Sequence, residues 1–198
     1  MDEIGIIKSE LRSSAELKLG LINTHAELIK EVADIIYNAI TEGHVLFIFG
    51  NGGSAADAQH IAAEFVNRFK IERQPLPAIS LATDTSILTS IANDYSFDDI
   101  FSKQLYALGK KNDLALGITT SGNSKNILSA FKTAKEKGMI TIGLLGSGGG
   151  KAKSMVDFPV IIDHTDTPRI QEAHITIGHI ICSIIDYRIK RNNGVDTK

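Results

Sequence analysis

The sequence predicts an α/β fold: a three-layer sandwich in which helices cover both faces of a five-stranded parallel sheet, with a helical arm at the N-terminus. Short runs of β-branched and aromatic residues alternate with helical segments along most of the chain, as in βαβ crossover units. Each run is closed by a cluster of Gly, Ser or Asp, which is typical of strands. The chain has 198 residues, 43% of them hydrophobic, so we expect a single domain, residues 1–198.

The first predicted element is the arm, residues 1–43. The stretch from Glu3 to Thr41 contains no proline, and its apolar residues recur at helical spacing, as at Ile29, Val32 and Ile36. We expect two helices there. Two amphipathic helices have little to cover within one compact domain, so the arm also predicts an oligomer.

The α/β core, residues 44–198, follows the arm. The predicted strands are His44 to Phe49, Ala78 to Leu81, Asp113 to Thr119, Thr141 to Leu145 and Val160 to Ile162. The predicted helices are Ala55 to Phe69, Phe97 to Leu108, Ser124 to Lys137 and most of Arg169 to Arg191. Open parallel sheets bind ligands beyond the carboxyl ends of their strands, so the loops after the strands are the candidate binding segments.

Composition favours a small-molecule partner. The formal net charge is -2 and the isoelectric point is about 6.3, which argues against binding to nucleic acid or to an anionic membrane. No leader-like apolar segment follows the acidic N-terminus, and no run of about 18 apolar residues occurs. Cys182 is the only cysteine, so no disulfide forms within the chain and a reducing, cytoplasmic location is expected.

The loop after the first strand is rich in glycine. It reads Gly50, Asn51, Gly52, Gly53 and Ser54, and a helix is predicted directly after it. Glycines permit close backbone approach, and the N–H groups at a helix start attract an anion. A plain tight turn is one alternative. The dinucleotide pattern G-x-G-x-x-A, through Ala55, is another, but Leu81 to Thr83 lacks the acidic residue that such a site needs.

The loop after the third strand is dense in hydroxyl groups. It consists of Thr119, Thr120, Ser121, Gly122, Asn123 and Ser124. Hydroxyl and backbone N–H groups in this arrangement bind phosphate oxygens without a lysine. A cluster of helix N-caps is the alternative interpretation. The run from Gly146 to Lys151 is no Walker loop, because its glycine spacing is wrong and Ala152 replaces the magnesium-binding hydroxyl.

Two helices carry candidate ligand residues that stand four or eight positions apart. His60 and Glu64 lie on one face of the second predicted helix, where they can share a metal ion or a proton. Gln171 and His179 stand eight residues apart on the last helix. Chance pairing of His60 with Glu64, and a buried core role for His179 among isoleucines, are the alternatives. His174 is a candidate for supporting the site through a hydrogen bond.

Together, the two loops resemble the sugar isomerase domain, in which a loop of Ser and Thr residues binds the phosphate of a phosphosugar. The chain is most similar to the phosphoheptose isomerase family. The resemblance covers nearly the whole chain, including the arm. It rests on the run from Gly50 to His60, the pair Asn93 and Asp94, and the run from Arg169 to His174.

The resemblance implies a flavodoxin-like fold and an enzyme that converts D-sedoheptulose 7-phosphate to D-glycero-D-manno-heptose 7-phosphate through an enediol, at the start of heptose nucleotide biosynthesis. It implies one Zn²⁺ per subunit, bound by His60, Glu64, Gln171 and His179, in a homotetramer. Glu64 would be the base and His179 the acid. Because Gln171 and His179 lie about 12 Å apart along an ideal helix, one ion needs long side chains, a helix that begins after Gln171, or ligands from different subunits.

The resemblance also implies the substrate contacts. Those to the sugar are Asn51, Gly52, Gly53, Ser54, Asn93, Asp94 and Gln171, and those to the phosphate are Thr119, Thr120, Ser121 and Ser124. From the residues alone, Asn93 and Asp94 fit an ordinary turn before the helix predicted at Phe97 equally well.

Three other functions are compatible with parts of the sequence. The first is a non-catalytic binding module, like the replication initiator-associating relatives that share the fold and bind a protein. The second is a domain that senses sugar phosphates or isomerises amino sugars. The third is nucleotide binding at the glycine-rich loop. The intact set His60, Glu64, Gln171 and His179 argues against the binding module, and neither of the other two functions accounts for it.

Overall fold

The strands form one parallel sheet in the computed structural model, which describes residues 2–192. Residue 1 and the tail 193–198 of the predicted domain lie outside the described residues. The strands are β1 (Leu46–Gly50), β2 (Ala78–Ser80), β3 (Leu114–Thr119), β4 (Ile140–Gly146) and β5 (Phe158–Ile162). Their order in the sheet is β2-β1-β3-β4-β5, and every pair is parallel. The predicted flavodoxin-like sheet is confirmed.

Helices cover both faces of the sheet. They are α1 (Glu3–Thr41), α2 (Gly53–Val66), α3 (Thr85–Asp94), α4 (Ser102–Leu108), α5 (Lys125–Glu136) and α6 (Thr167–Asn192). Because alternate residues of a strand point to opposite sides, Ile48 of β1 packs with α1, α2 and α6 in one core. Phe49 packs with α4 and α5 in the other. The predicted three layers are therefore present.

The arm differs from the prediction, because it is one helix and not two. α1 continues unbroken for 39 residues, and Asp2 caps its start by accepting a hydrogen bond from the N–H of Gly5 at 2.8 Å. Gly20, in the middle, costs only about 1 kcal/mol relative to alanine. Packing of the second half on α6 and the sheet offsets that cost, since tertiary contacts supply most helix stability in proteins.

The sequence prediction lacks α3. Its residues are mostly Thr, Ser and Ile, which have modest helix propensity, and none of them is buried. The helix begins because the Asp84 side chain accepts a hydrogen bond from the N–H of Ile87 at 2.9 Å. Asn93 and Asp94 consequently lie in the last turn of a helix, so their interpretation as an ordinary turn is wrong.

The strand order predicts where a ligand binds. The chain leaves β1 toward β2 on one side and returns to β3 on the other, so the topological switch point lies between β1 and β3. At the carboxyl ends, Gly50 pairs with Ile118. Among residues 2–192, no helix has both the length and the apolar character that crossing a bilayer requires.

Candidate active site

The loops after β1 and β3 lie side by side at the switch point. A reciprocal pair of hydrogen bonds joins them: Asn51 Nδ2 donates to Asn126 Oδ1 at 2.9 Å, and Asn126 Nδ2 donates to Asn51 Oδ1 at 2.8 Å. Asn126 lies in the first turn of α5. The glycine-rich loop and the hydroxyl-rich loop are thus fixed to each other and form one surface.

Glycine lets the first loop approach its neighbours closely. Gly52 has φ +55°, in the left-handed region that favours glycine. A methyl group on Gly53 would lie 2.5 Å from the side-chain nitrogen of Gln171. Gln171 of α6 therefore packs directly against the loop. Ser54 follows Gly53 and is buried in the first turn of α2.

Three hydroxyl groups cluster in the loop after β3. Thr119 Oγ1 lies 3.3 Å from Ser124 Oγ and 3.5 Å from Ser121 Oγ, and the N–H of Gly122 donates to Thr119 Oγ1 at 3.2 Å. Ser124 occupies the N-cap position of α5, yet its side chain accepts no hydrogen bond from that helix. Helix capping therefore does not explain the cluster. Its hydroxyl groups, at the start of α5, can bind an anion.

The loop after β4 holds this hydroxyl loop in place. Gly122, with φ +64°, packs so closely on Gly149 that no side chain fits between them. The N–H of Ala152 donates to the Gly122 carbonyl at 3.0 Å. The carbonyl oxygen of Thr120 lies against Gly146 at the end of β4. The loop is therefore supported by backbone contacts that only glycine permits.

His60, Glu64 and His179 converge where α2 packs on α6. His60 Nε2 lies 2.9 Å from His179 Nε2 and 3.3 Å from Glu64 Oε1. One ligand atom from each of the three lies within 4.8 Å of the other two. The His60 side chain is 50% exposed and that of Glu64 is 22% exposed, so a solute can reach the cluster. His60 therefore lies close to Glu64, as predicted, and also close to His179.

A glycine on α6 makes this convergence possible. A methyl group on Gly178 would lie 2.6 Å from Ile61 Cδ1. Gly178 directly precedes His179, and Ile61 directly follows His60. α2 and α6 are therefore close together where His60 and His179 meet. The motif search did not single out Gly178; its signal is a lone glycine inside an otherwise apolar helix.

Gln171 stands apart from His179 on the same helix. α6 begins at Thr167, so the explanation in which the helix starts after Gln171 is wrong. Eight residues correspond to about 12 Å along the axis. Gln171 contacts the loop at Gly53, whereas His179 contacts His60.

Asn93 and Asp94 are the site candidates that the structure does not join to the others. Both are exposed, and the hydrogen bond they make is to each other, from Asn93 Nδ2 to Asp94 Oδ1 at 2.8 Å. Their position on α3, which has no buried residue, leaves both side chains open to a solute.

Two residues that the motif search missed border the three-residue cluster. The Phe69 ring stacks on His179, with ring centroids 5.6 Å apart and planes 17° from parallel. Asp57 lies one turn before His60 on α2, and burial raises its pKa to about 6, although the nearby His60 opposes the rise. Asp57 was detectable from its spacing of three residues before His60, whereas Phe69 lies beyond α2 and had no such signal.

His174 does not support the site through a hydrogen bond. It is fully buried, and neither ring nitrogen has a partner of normal hydrogen-bond geometry among the described residues. Burial lowers its pKa to about 4, with the nearby backbone of Leu145 opposing part of the change. The ring is therefore a neutral core group at physiological pH.

Among the described residues, no free carboxylate follows β2 directly to bind the ribose of a dinucleotide. Asp84 is the nearest carboxylate after β2, and it is engaged in capping α3. A ribose at the first loop would thus lack the partner that dinucleotide-binding folds provide.

The comparison with protein families agrees with this geometry. The SIS domain model matches residues 11–146, which span the first four strands and both loops of the site. The chain therefore belongs to the SIS domain family, a class of sugar isomerase folds.

Relatives and solved structures narrow the class. The phosphoheptose isomerase of Clostridium acetobutylicum is 51% identical over 182 residues, covering 91% of this chain and 93% of that protein. The phosphoheptose isomerase structures from Francisella tularensis and Neisseria gonorrhoeae superimpose with TM-scores of 0.91 and 0.89. Their identities are 37% and 39%, and each comparison covers 94% of this chain and 100% of the other. Within the SIS class, the chain belongs to the phosphoheptose isomerases, which are enzymes.

Proposed function

We propose that this chain interconverts D-sedoheptulose 7-phosphate and D-glycero-D-manno-heptose 7-phosphate, the entry reaction to activated heptose. The observation that carries the proposal is the convergence of His60, Glu64 and His179 in a chain whose switch-point loops offer an anion site. An aldose–ketose isomerase needs a phosphate anchor, a base at carbon and an acid at oxygen, and this chain has residues for each.

The phosphate is proposed to bind at the hydroxyl loop. The hydroxyl groups of Ser121 and Ser124 both lie within 3.5 Å of the Thr119 hydroxyl, with Thr120 and the start of α5 beside them. The sugar would extend toward the first loop, where Asn51 to Ser54 and Gln171 offer polar groups. Asn93 and Asp94 complete the proposed sugar contacts from α3.

The three-residue cluster fits a zinc ion. Two imidazole nitrogens and one carboxylate oxygen are common zinc ligands, and ligand atoms of a tetrahedral site lie about 3.3 Å apart. The distances of 2.9 Å and 3.3 Å from His60 Nε2 are close to that separation. His60, Glu64 and His179 would hold the ion, and Gln171, about 12 Å from His179 along α6, would be the fourth ligand through its long side chain or from a second subunit. When bound, zinc supplies a Lewis acid for the carbonyl and the adjacent hydroxyl.

The proton transfers are assigned to Glu64 and His179. Glu64 removes a proton from C1 of the ketose while His179 donates one to the oxygen on C2, which gives the enediol. His179 then accepts the proton from the oxygen on C1, and Glu64 returns its proton to C2. Glu64 Oε1 is the oxygen nearer to His60, which leaves Oε2 for the carbon-bound proton.

Removal of the proposed base tests the function. With sedoheptulose 7-phosphate and zinc, proton exchange and product formation are followed by NMR for the parent and for Glu64→Gln. We expect kcat to fall by about 10²- to 10⁴-fold in Glu64→Gln, the usual contribution of a general base. Glu136→Gln, at an exposed position on α5, is the matched control and should keep parental activity.

The same experiment separates the enzyme from the binding module. A folded parent that binds the sugar phosphate but shows neither exchange nor product with any divalent metal would contradict the isomerase. Equal loss of activity in Glu64→Gln and Glu136→Gln would contradict the role of Glu64.

The remaining assignments concern the whole chain. We propose a single domain spanning residues 1–198, assembled as a homotetramer, because α1 exposes a row of apolar side chains. They are Ile4, Ile6, Ile7, Leu11, Leu19 and Ile22. A cytoplasmic location is proposed because the single cysteine is buried and free.

A further inference from the structure

A buried ion pair joins the segment that follows α2 to the C-terminal third of α6. Arg73 Nε donates to Asp186 Oδ1 at 2.8 Å, and the two side chains are only 2% and 4% exposed. Buried charges need partners for every polar atom. The identity of those partners shows what the pair holds together.

Arg73 caps the helix that carries the proposed base. The last carbonyl groups of a helix lack partners within it. Arg73 Nη2 donates to the Glu64 carbonyl at 2.7 Å, and Nη1 donates to the Phe65 carbonyl at 2.9 Å. The guanidinium group therefore binds the backbone of Glu64 itself. A shift of Arg73 would move the last turn of α2 and the Glu64 carboxylate with it.

Asp186 anchors the segment that carries Phe69. Its Oδ2 accepts hydrogen bonds from the N–H of Lys70 at 2.7 Å and from the N–H of Ile71 at 3.3 Å. The Lys70 ammonium also donates to Ser183 Oγ at 3.1 Å. These contacts fix the segment after α2 to α6 immediately beside Phe69, whose ring stacks on His179.

Asp186 and His179 share α6. They are seven residues apart, two helical turns, and therefore project from the same face. The charges lie close enough to act on a common neighbour: burial raises the pKa of the Cys182 thiol to about 12, with Glu64 and Asp186 adding to the rise and Arg73 opposing it. The ion pair is thus part of the same packed region as the proposed base.

We infer that the Arg73–Asp186 pair is a positioning device, which fixes the Glu64 carboxylate relative to the His179 imidazole and holds Phe69 against His179. The inference rests on the proposed function for its kinetic consequence, but the geometric part is independent of turnover. Neither residue touches the substrate in this assignment. A misplacement of about 1 Å in a catalytic group costs up to about 100-fold in rate.

Kinetics of Asp186→Asn, Arg73→Lys and Arg73→Met in the zinc-supplied enzyme test the consequence. We expect kcat to fall about 10- to 100-fold while KM changes by less than about twofold, since the phosphate loop lies on another part of the sheet. Arg73→Lys keeps the charge and should retain more activity than Arg73→Met. Assays are made below the thermal transition of each variant, measured by circular dichroism.

The geometric part is tested in the full-length chain with metal removed by a chelator. The stacked Phe69 ring shields the His179 ring protons, so their resonances in a histidine-labelled sample report the stacking. Phe69→Leu removes the ring, so its spectrum shows where the His179 resonances lie without stacking. We expect Asp186→Asn to move the His179 resonances in the direction of the Phe69→Leu spectrum. This result is obtained whether or not the parent turns over a heptose phosphate.

Asp113→Asn is the matched control. Asp113 is also a buried carboxylate that accepts two backbone hydrogen bonds, from Val45 at 2.9 Å and from Lys110 at 2.8 Å. It precedes β3, and the backbone donors that it binds belong to the segments before β1 and β3, not to α2 or α6. We expect a loss of stability without a change in kcat or in the His179 resonances.

Two results would overturn the inference. One is a kcat in Asp186→Asn and Arg73→Met that falls no further than in Asp113→Asn. The other is a His179 spectrum that Phe69→Leu shifts and Asp186→Asn leaves unchanged. If the parent is inactive, the spectrum alone decides: movement in Asp186→Asn supports the positioning role, and no movement refutes it.

Discussion

At the scale of single residues, His60 and His179 of the cluster differ from His174, the other histidine on α6. The nitrogens of His60 and His179 lie 2.9 Å apart at a solvent-accessible edge. His174, five residues before His179, is fully buried. The same residue type is therefore a ligand candidate at one position and a neutral core group at another, because burial decides its protonation.

His174 makes stability depend on pH. Its pKa is about 4 in the folded protein and about 6.5 when unfolded. Between these values the unfolded state binds more protons, so the free energy of unfolding falls as the pH drops from 6.5 toward 4. We expect the parent to lose up to roughly 3 kcal/mol more than His174→Met over this range.

Urea unfolding at pH 7 and pH 4, at one protein concentration, measures this difference. His164→Met, at a partly exposed position after β5, keeps His174 and should retain the parental pH dependence. If His174→Met loses as much stability on acidification as His164→Met, burial of the neutral ring is not the cause.

At the scale of elements, close packing of α2 on α6 decides the geometry of the cluster. Both helices lie on the same face of the sheet, and Gly178 permits their approach at Ile61. A larger residue at the crossing must push the helices apart or force the Ile61 side chain to move.

Gly178→Val tests this packing. The added side chain overlaps Ile61 Cδ1, so we expect a loss of about 1–3 kcal/mol in the free energy of unfolding. The separation of His60 from His179 should also weaken zinc binding, measured by competition with a chelating dye. Gly20→Val, where a methyl group meets no atom within 4 Å, is the control and should leave zinc binding unchanged. Parental zinc affinity in Gly178→Val would show that the helix crossing does not set the cluster.

At the scale of the whole molecule, α1 has an apolar surface that the other residues between 2 and 192 leave exposed. A groove between α1 and α6 is lined by Leu21, Ile22, Ile29 and Ile180. The first half of α1 extends this surface with Ile7 and Leu11, both more than half exposed. Monomeric proteins seldom expose such a continuous apolar area, so another subunit is the expected cover.

Leu19→Glu should weaken the assembly. Leu19 is 63% exposed on α1, so the change costs the monomer little, whereas a buried carboxylate at a subunit interface is unfavourable. Analytical ultracentrifugation is expected to show a shift from tetramer toward smaller species. Tyr106→Glu, 74% exposed on α4 of the opposite layer, should leave the mass unchanged. A tetramer of unaltered stability in Leu19→Glu would place the interface elsewhere.

Local sequence patterns predict the fold class and most of the candidate site. Short β-branched and aromatic runs closed by turn residues predicted all five strands, because that pattern follows from local backbone geometry and burial. Glycine and hydroxyl runs located both loops, and four-residue spacing located His60 with Glu64. These patterns did not predict α3, because its residues have weak helix propensity and its formation depends on the Asp84 cap. They also did not predict that α1 is a single unbroken helix.

Contacts between residues that are distant in sequence depend on tertiary packing. His60 and His179 are 119 positions apart, and Arg73 and Asp186 are 113 apart, so no local pattern records either contact. Gly178 and Phe69 act through packing between elements, which depends on the crossing of α2 with α6. Composition and spacing describe each segment by itself, whereas close-packed side chains from several segments set the geometry of the site.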